Sequence, residues 1–90
     1  MKEDKKLILV VEDEEAIAMG LEENLKSAGY DVITAATGPN GLDLGISKKP
    51  DLVLLDLMLP GMSGFDICRK FRDQGLQMPV IILTARKDNI

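Results

Sequence analysis

Three acidic residues follow directly on aliphatic runs. Glu12 and Asp13 come immediately after Leu7-Ile8-Leu9-Val10-Val11, and Asp56 comes immediately after Leu52-Val53-Leu54-Leu55. If both runs are neighbouring buried strands, these carboxylates share one crevice, where they cannot all stay ionised cheaply without a counter-ion. A hard cation with oxygen ligands answers that need, and Mg²⁺ suits a site with few carboxylates and several waters. Asp56, its backbone partly buried, is then a candidate carboxylate nucleophile that could attack a phosphoryl group and form an acyl phosphate. A cation held by Asp13 would offset charge on the phosphoryl oxygens in the transition state. Thr84 ends a further aliphatic run, Val80 to Leu83, where its hydroxyl could donate to a phosphoryl oxygen. Each residue also has a plainer reading. Glu14 and Glu15 suit the positive N-terminus of a following helix, as Asp13 could. Asp56 could cap a turn, and Thr84 could be an N-cap. Met58 and Met62 read as packing or surface residues, although the Met58 carbonyl is within reach of a metal held by the acids.

The elements that must hold these residues alternate in type. Leu7 to Val11 reads as a strand buried on both faces, as in a parallel sheet. From Glu14 to Ala28, the residues Ile17, Leu21, Leu25 and Ala28 recur at helical spacing, and Gly29 stops the helix. Asp31 to Ala35 reads as a second strand. Thr37-Gly38-Pro39 opens a second helix, with proline in its first turn. Gly41 and Gly45 should each weaken that helix by about 1 kcal/mol relative to alanine, making it the least rigid. After Pro50 comes the third strand, Leu52 to Leu55, and then the turn-rich segment Leu59-Pro60-Gly61-Met62-Ser63-Gly64. Phe65, Cys68 and Phe71 mark a third helix, and Val80 to Leu83 a fourth strand. This alternation predicts an α/β three-layer sandwich with right-handed crossovers. Open sheets of that kind bind ligands outside the carboxyl ends of their strands, at the topological switch point. Glu12, Asp13, Asp56 and Thr84 all fall at such ends.

Composition sets limits on function. Ninety residues without a repeat, a linker or a low-complexity segment read as one domain, with residues 1–5 a frayed charged lead-in. Eleven basic against fifteen acidic residues give a net charge of −4, which argues against direct binding to nucleic acid or an anionic membrane. The apolar runs are too short to span a bilayer. The single cysteine, Cys68, cannot form an internal disulfide, so a cytoplasmic location is expected. The absence of histidine removes imidazole-based catalysis and metal ligation. No Gly-x-Gly-x-x-Gly follows the first strand and no Gly-Lys-Ser/Thr occurs, so neither a dinucleotide fold nor a P-loop is expected.

Three segments in order now carry a resemblance. Leu7 to Glu14, Asp51 to Gly64 (DLVLLDLMLPGMSG) and Pro79 to Ala85 (PVIILTA) resemble the receiver domain of two-component response regulators. The resemblance implies a flavodoxin-like, doubly wound parallel sheet of order 2-1-3-4. It implies that Asp56 accepts a phosphoryl group from the phosphohistidine of a sensor histidine kinase or phosphotransfer protein. Asp13 would bind Mg²⁺ directly, Glu12 directly or through water, and Asp56 and the Met58 carbonyl would complete the protein ligands. Thr84 would be the switch residue that moves toward the phosphoryl group and biases two surface conformations. The donor is the partner counted as the kinase, so this chain is not expected to be an enzyme.

A complete receiver would continue with a helix, a fifth strand ending in a lysine, and last helices. Since the chain ends at Ile90, a C-terminally truncated receiver is expected, with impaired phosphoryl chemistry. Lys87, three residues past Thr84, cannot replace that lysine. Val80–Leu83 would then be an uncovered apolar edge, and a homo-oligomer joined there is expected. A second class of function is an interaction module that keeps the fold but does not switch by phosphorylation. A third, a haloacid-dehalogenase-like phosphatase, needs a second acid where this chain has Met58, which cannot transfer a proton.

Overall fold

Uninterrupted aliphatic strands are stable only when both faces of their sheet are covered. The computed structural model, which describes residues 5–59 and 61–83, builds such a sheet from four strands and three helices among those residues. In chain order these are β1 (Leu7–Val11), α1 (Glu15–Ser27), β2 (Asp31–Ala35), α2 (Gly38–Lys48), β3 (Leu52–Asp56), α3 (Gly64–Asp73) and β4 (Val80–Leu83). Every strand pair is parallel, in the order β2-β1-β3-β4. That is the flavodoxin-like order expected from the sequence. The order reverses direction between β1 and β3, which makes their carboxyl ends the switch point.

Alternation along the central strands divides the core in two. Leu9, Val11, Val53 and Leu55 point to the face where Ile67 and Phe71 of α3 and Leu42 and Leu44 of α2 pack. Ile8, Val10 and Leu54 point to the other face, against Leu21 and Leu25 of α1. Two expected helix faces need correction. Ile17 does not join the α1 contact and is 40% exposed. On α3, Phe65 is 63% exposed, and the inward face is Gly64, Ile67 and Phe71 instead. Ser63 explains that phase: its side chain accepts from the Asp66 amide at 3.2 Å, which starts the helix at Gly64 and turns Phe65 outward. Cys68 is half-buried beside this core rather than fully enclosed. Burial pushes its thiol up, against an opposing pull from Arg72, which suits an unreactive thiol.

Helix α2 begins as its sequence predicts. Thr37 accepts from the Asn40 amide at 3.2 Å, with Pro39 in the first turn. Its glycines are buried, so their low helix propensity is exchanged for close approach: a Cβ on Gly45 would run into the Phe71 ring.

Between α3 and β4 the chain is tied down by one side chain. The Arg72 guanidinium donates to the Leu76 carbonyl at 2.9 Å and to the Met78 carbonyl at 3.0 Å. Arg72→Ala should therefore destabilise the fold by about 1 kcal/mol in urea unfolding, with Arg72→Lys recovering only part of it. A midpoint unmoved by either change would show that this tie contributes nothing.

Candidate metal centre and acceptor carboxylate

The strand ends supply the acids, and local hydrogen bonds hold them there. The Glu12 amide donates to the Ala35 carbonyl at 3.0 Å, extending the β1–β2 pairing one residue past Val11. The Glu12 side chain is buried, and its Oε2 accepts from the Glu14 amide at 3.0 Å just before α1. Asp13 lies between them and is exposed. Asp56 is the last residue of β3, paired with Leu83 of β4 and 0% exposed. Its Oδ1 accepts from the Met58 amide at 3.2 Å, which turns the chain away from the sheet. Among the described residues, no buried side-chain oxygen or nitrogen lacks a hydrogen-bond partner.

These positions bring Glu12, Asp13 and Asp56 together: one carboxylate oxygen from each lies within 4.8 Å of the other two. Oxygens bound to a single Mg²⁺ are at most about 4.2 Å apart, so small side-chain rotations would bring this set onto one ion. Two buried carboxylates and one exposed one form a hard oxygen donor set that is open on one side, and it fits a hydrated Mg²⁺. The same acids placed this close repel one another, which gives a cation a further reason to bind.

A shallow groove lined by Asp13, Leu57, Met58, Leu59, Met62 and Ser63 runs from the acids along the β3–α3 segment. The Met58 side chain is exposed, as expected of a surface residue. Thr84 and Lys87 lie outside the described residues. Sequence reasoning did not single out Gly64, yet a Cβ there would lie 3.2 Å from both the Asp56 carbonyl oxygen and the Leu57 Cα. The turn-rich composition of 59–64 signals a tight loop without indicating which glycine faces the end of β3. No helix among the described residues is long and apolar enough to cross a membrane.

Comparison with known proteins agrees with this arrangement. The family model described as "Response regulator receiver domain" matches residues 8–90. Over 83 residues, or 92% of its length, the chain is 47% identical to the alkaline phosphatase synthesis transcriptional regulatory protein PhoP of Bacillus subtilis. It is 48% identical over the same length to the transcriptional regulatory protein AfsQ1 of Streptomyces coelicolor. The chain spans about a third of each of these relatives, 35% and 36% of their lengths. Among solved structures, the Francisella response regulator 1452 receiver domain superposes with a TM-score of 0.86 at 28% identity, covering 94% of this chain and 70% of that one. Sheet order, strand-end acids and sequence match converge on one assignment: the chain belongs to the response regulator receiver domain family.

Proposed function

We propose that residues 1–90 act as a single phosphoacceptor domain in a two-component phosphorelay, with Asp56 as the acceptor. The observation that carries this reading is the convergence of Glu12, Asp13 and Asp56 within 4.8 Å at the sheet's switch point. An Asp56 carboxylate oxygen attacks the phosphorus of a phosphohistidine on a sensor kinase or phosphotransfer protein. The P–O bond forms as the P–N bond breaks, and the electron pair leaves on the imidazole nitrogen, which takes up a proton. Mg²⁺, when bound, offsets charge on the phosphoryl oxygens. Glu12, Asp13, Asp56 and the Met58 carbonyl are its protein ligands in this reading. Glu12 and Asp56, buried on rigid strand ends, fix the direction of attack. Thr84 donates a hydrogen bond to the phosphoryl group and acts as the switch. A phosphodonor of this kind suits a cytoplasmic protein.

The test is incubation with Mg²⁺ and a small-molecule phosphodonor, followed by intact mass. One phosphoryl adduct is expected, lost in Asp56→Asn and on chelation of the metal. An unmodified mass, or an adduct that survives Asp56→Asn, contradicts the assignment.

A second expectation concerns β4, which among the described residues stands at one edge of the sheet with Ile81 50% exposed. The 90-residue polypeptide produced alone should self-associate through this apolar edge. Light scattering at micromolar concentration should give more than the monomer mass, and Ile81→Lys should lower it. A stable monomer would refute the interface.

A further inference from the structure

We infer that helix α2 positions the acid site, acting through Gly41 on the segment bearing Glu12 and Asp13 and through Gly38 on the segment that follows Asp56. This rests on the reading of those acids as a metal centre. A Cβ built on Gly41 would lie 2.8 Å from both Cγ1 and Cγ2 of Val11. Val11 cannot yield by rotating, because both methyl groups meet the same point and a β-branched side chain is stiff at χ1. Nor is its backbone free to shift, since it is fully buried and paired with Ala35 on one side and Leu55 on the other. The next residues along the chain are Glu12 and Asp13. Added volume at position 41 must therefore push either the helix or the strand end that carries the acids.

Gly38 makes the matching contact on the other half of the site. A Cβ there would lie 2.7 Å from the Met62 Cβ, an atom fixed to the backbone that no rotamer can remove. Met62 belongs to the segment running from Asp56 and Met58 to Ser63, the N-cap of α3. One short helix thus rests without side chains against both acid-bearing segments, and its placement sets their separation. Gly45 provides an internal control. It is buried on the same helix and more tightly crowded than either, but its nearest neighbours are the ring atoms of Phe71 in α3 and not those segments.

Gly38→Ala, Gly41→Ala, Gly45→Ala and the double variant Val11→Ala/Gly41→Ala separate positioning from mere stability. Mg²⁺ affinity is read by calorimetry, and the amide resonances of Glu12, Asp13 and Met58 are read in metal-free protein. Gly41→Ala should weaken Mg²⁺ binding by about tenfold, the scale of a lost supporting contact, and shift the Glu12 and Asp13 amides. Gly38→Ala should shift Met58. The double variant, which removes both Val11 methyls, should recover most of the affinity. Gly45→Ala should lower the melting temperature while leaving affinity and these resonances in place. The inference is overturned if Gly38→Ala and Gly41→Ala only lower stability, or if Gly45→Ala moves the site as much as they do. Should the unaltered protein bind no Mg²⁺, the metal-centre reading fails, while the metal-free amide shifts still decide whether α2 positions these segments. If Gly41→Ala alone does not fold, Gly38→Ala and the double variant give the same decision.

Discussion

Asp56→Asn should raise the stability of the metal-free protein by roughly 1–3 kcal/mol while removing phosphoryl acceptance. Two unit charges 4.8 Å apart, the upper limit of separation in this cluster, repel by about 3.5 kcal/mol at an effective dielectric near 20, and Asp56 faces two such neighbours. Exposure of Asp13 screens its share, which brings the net effect into that range. Asparagine is nearly isosteric and keeps an oxygen to accept from the Met58 amide, so the turn after β3 survives the change. The response to Mg²⁺ should move the other way. At a concentration a hundredfold above its Kd, the ion should stabilise the unaltered protein by about 2.7 kcal/mol. In the asparagine variant, with one ligand charge gone, the gain should be far smaller. Urea unfolding with and without Mg²⁺ measures both effects. If Asp56→Asn destabilises the metal-free protein, the interactions of Asp56 outweigh the repulsion proposed here.

Phe71→Ala should cost about 3–5 kcal/mol, the largest loss expected from any single truncation in the chain. Phe71 is fully buried, packs in the core with Leu9, Val11, Val53 and Leu55, and seats its ring in the space left by Gly45. Truncation leaves a cavity that α2 cannot readily fill, because its glycines offer no side chain on that side. Domains of this size are stable by only about 5–15 kcal/mol, so the variant should be near its unfolding midpoint at modest urea concentration. Phe71→Leu should lose less, since it fills part of the space. A loss below about 1 kcal/mol for the alanine variant would mean that α2 and α3 close over the cavity.

Much of this architecture can be read from the letters. The unbroken runs Leu7–Val11 and Leu52–Leu55 have no polar face, and only a sheet covered on both sides accommodates them. Acids directly after such runs must emerge at the strand ends, so their convergence follows from topology. What could not be read depends on contacts between elements. Phe65 and Ile67 are both apolar and only two residues apart, and the Ser63 cap decides which of them faces inward. Ile17 fits the helical period of α1 but lies beyond the apolar strip formed by Ile8, Val10 and Leu54. Gly41 and Gly45 read as weaknesses in α2, because propensity carries no information about Val11 or Phe71 pressing against them. Nor do the letters show that Glu12 and Asp56 each accept from a nearby backbone amide, those of Glu14 and Met58.

The most direct test of the metal centre is a titration of the ¹⁵N-labelled protein with Mn²⁺, a paramagnetic substitute for Mg²⁺. One saturable site is expected, with the amides of Glu12, Asp13, Asp56 and Met58 broadened first and the effect displaced by excess Mg²⁺. Asp13→Asn should weaken it by at least about tenfold. Broadening centred elsewhere, or left unchanged by Asp13→Asn, would contradict a metal centre built from these three carboxylates.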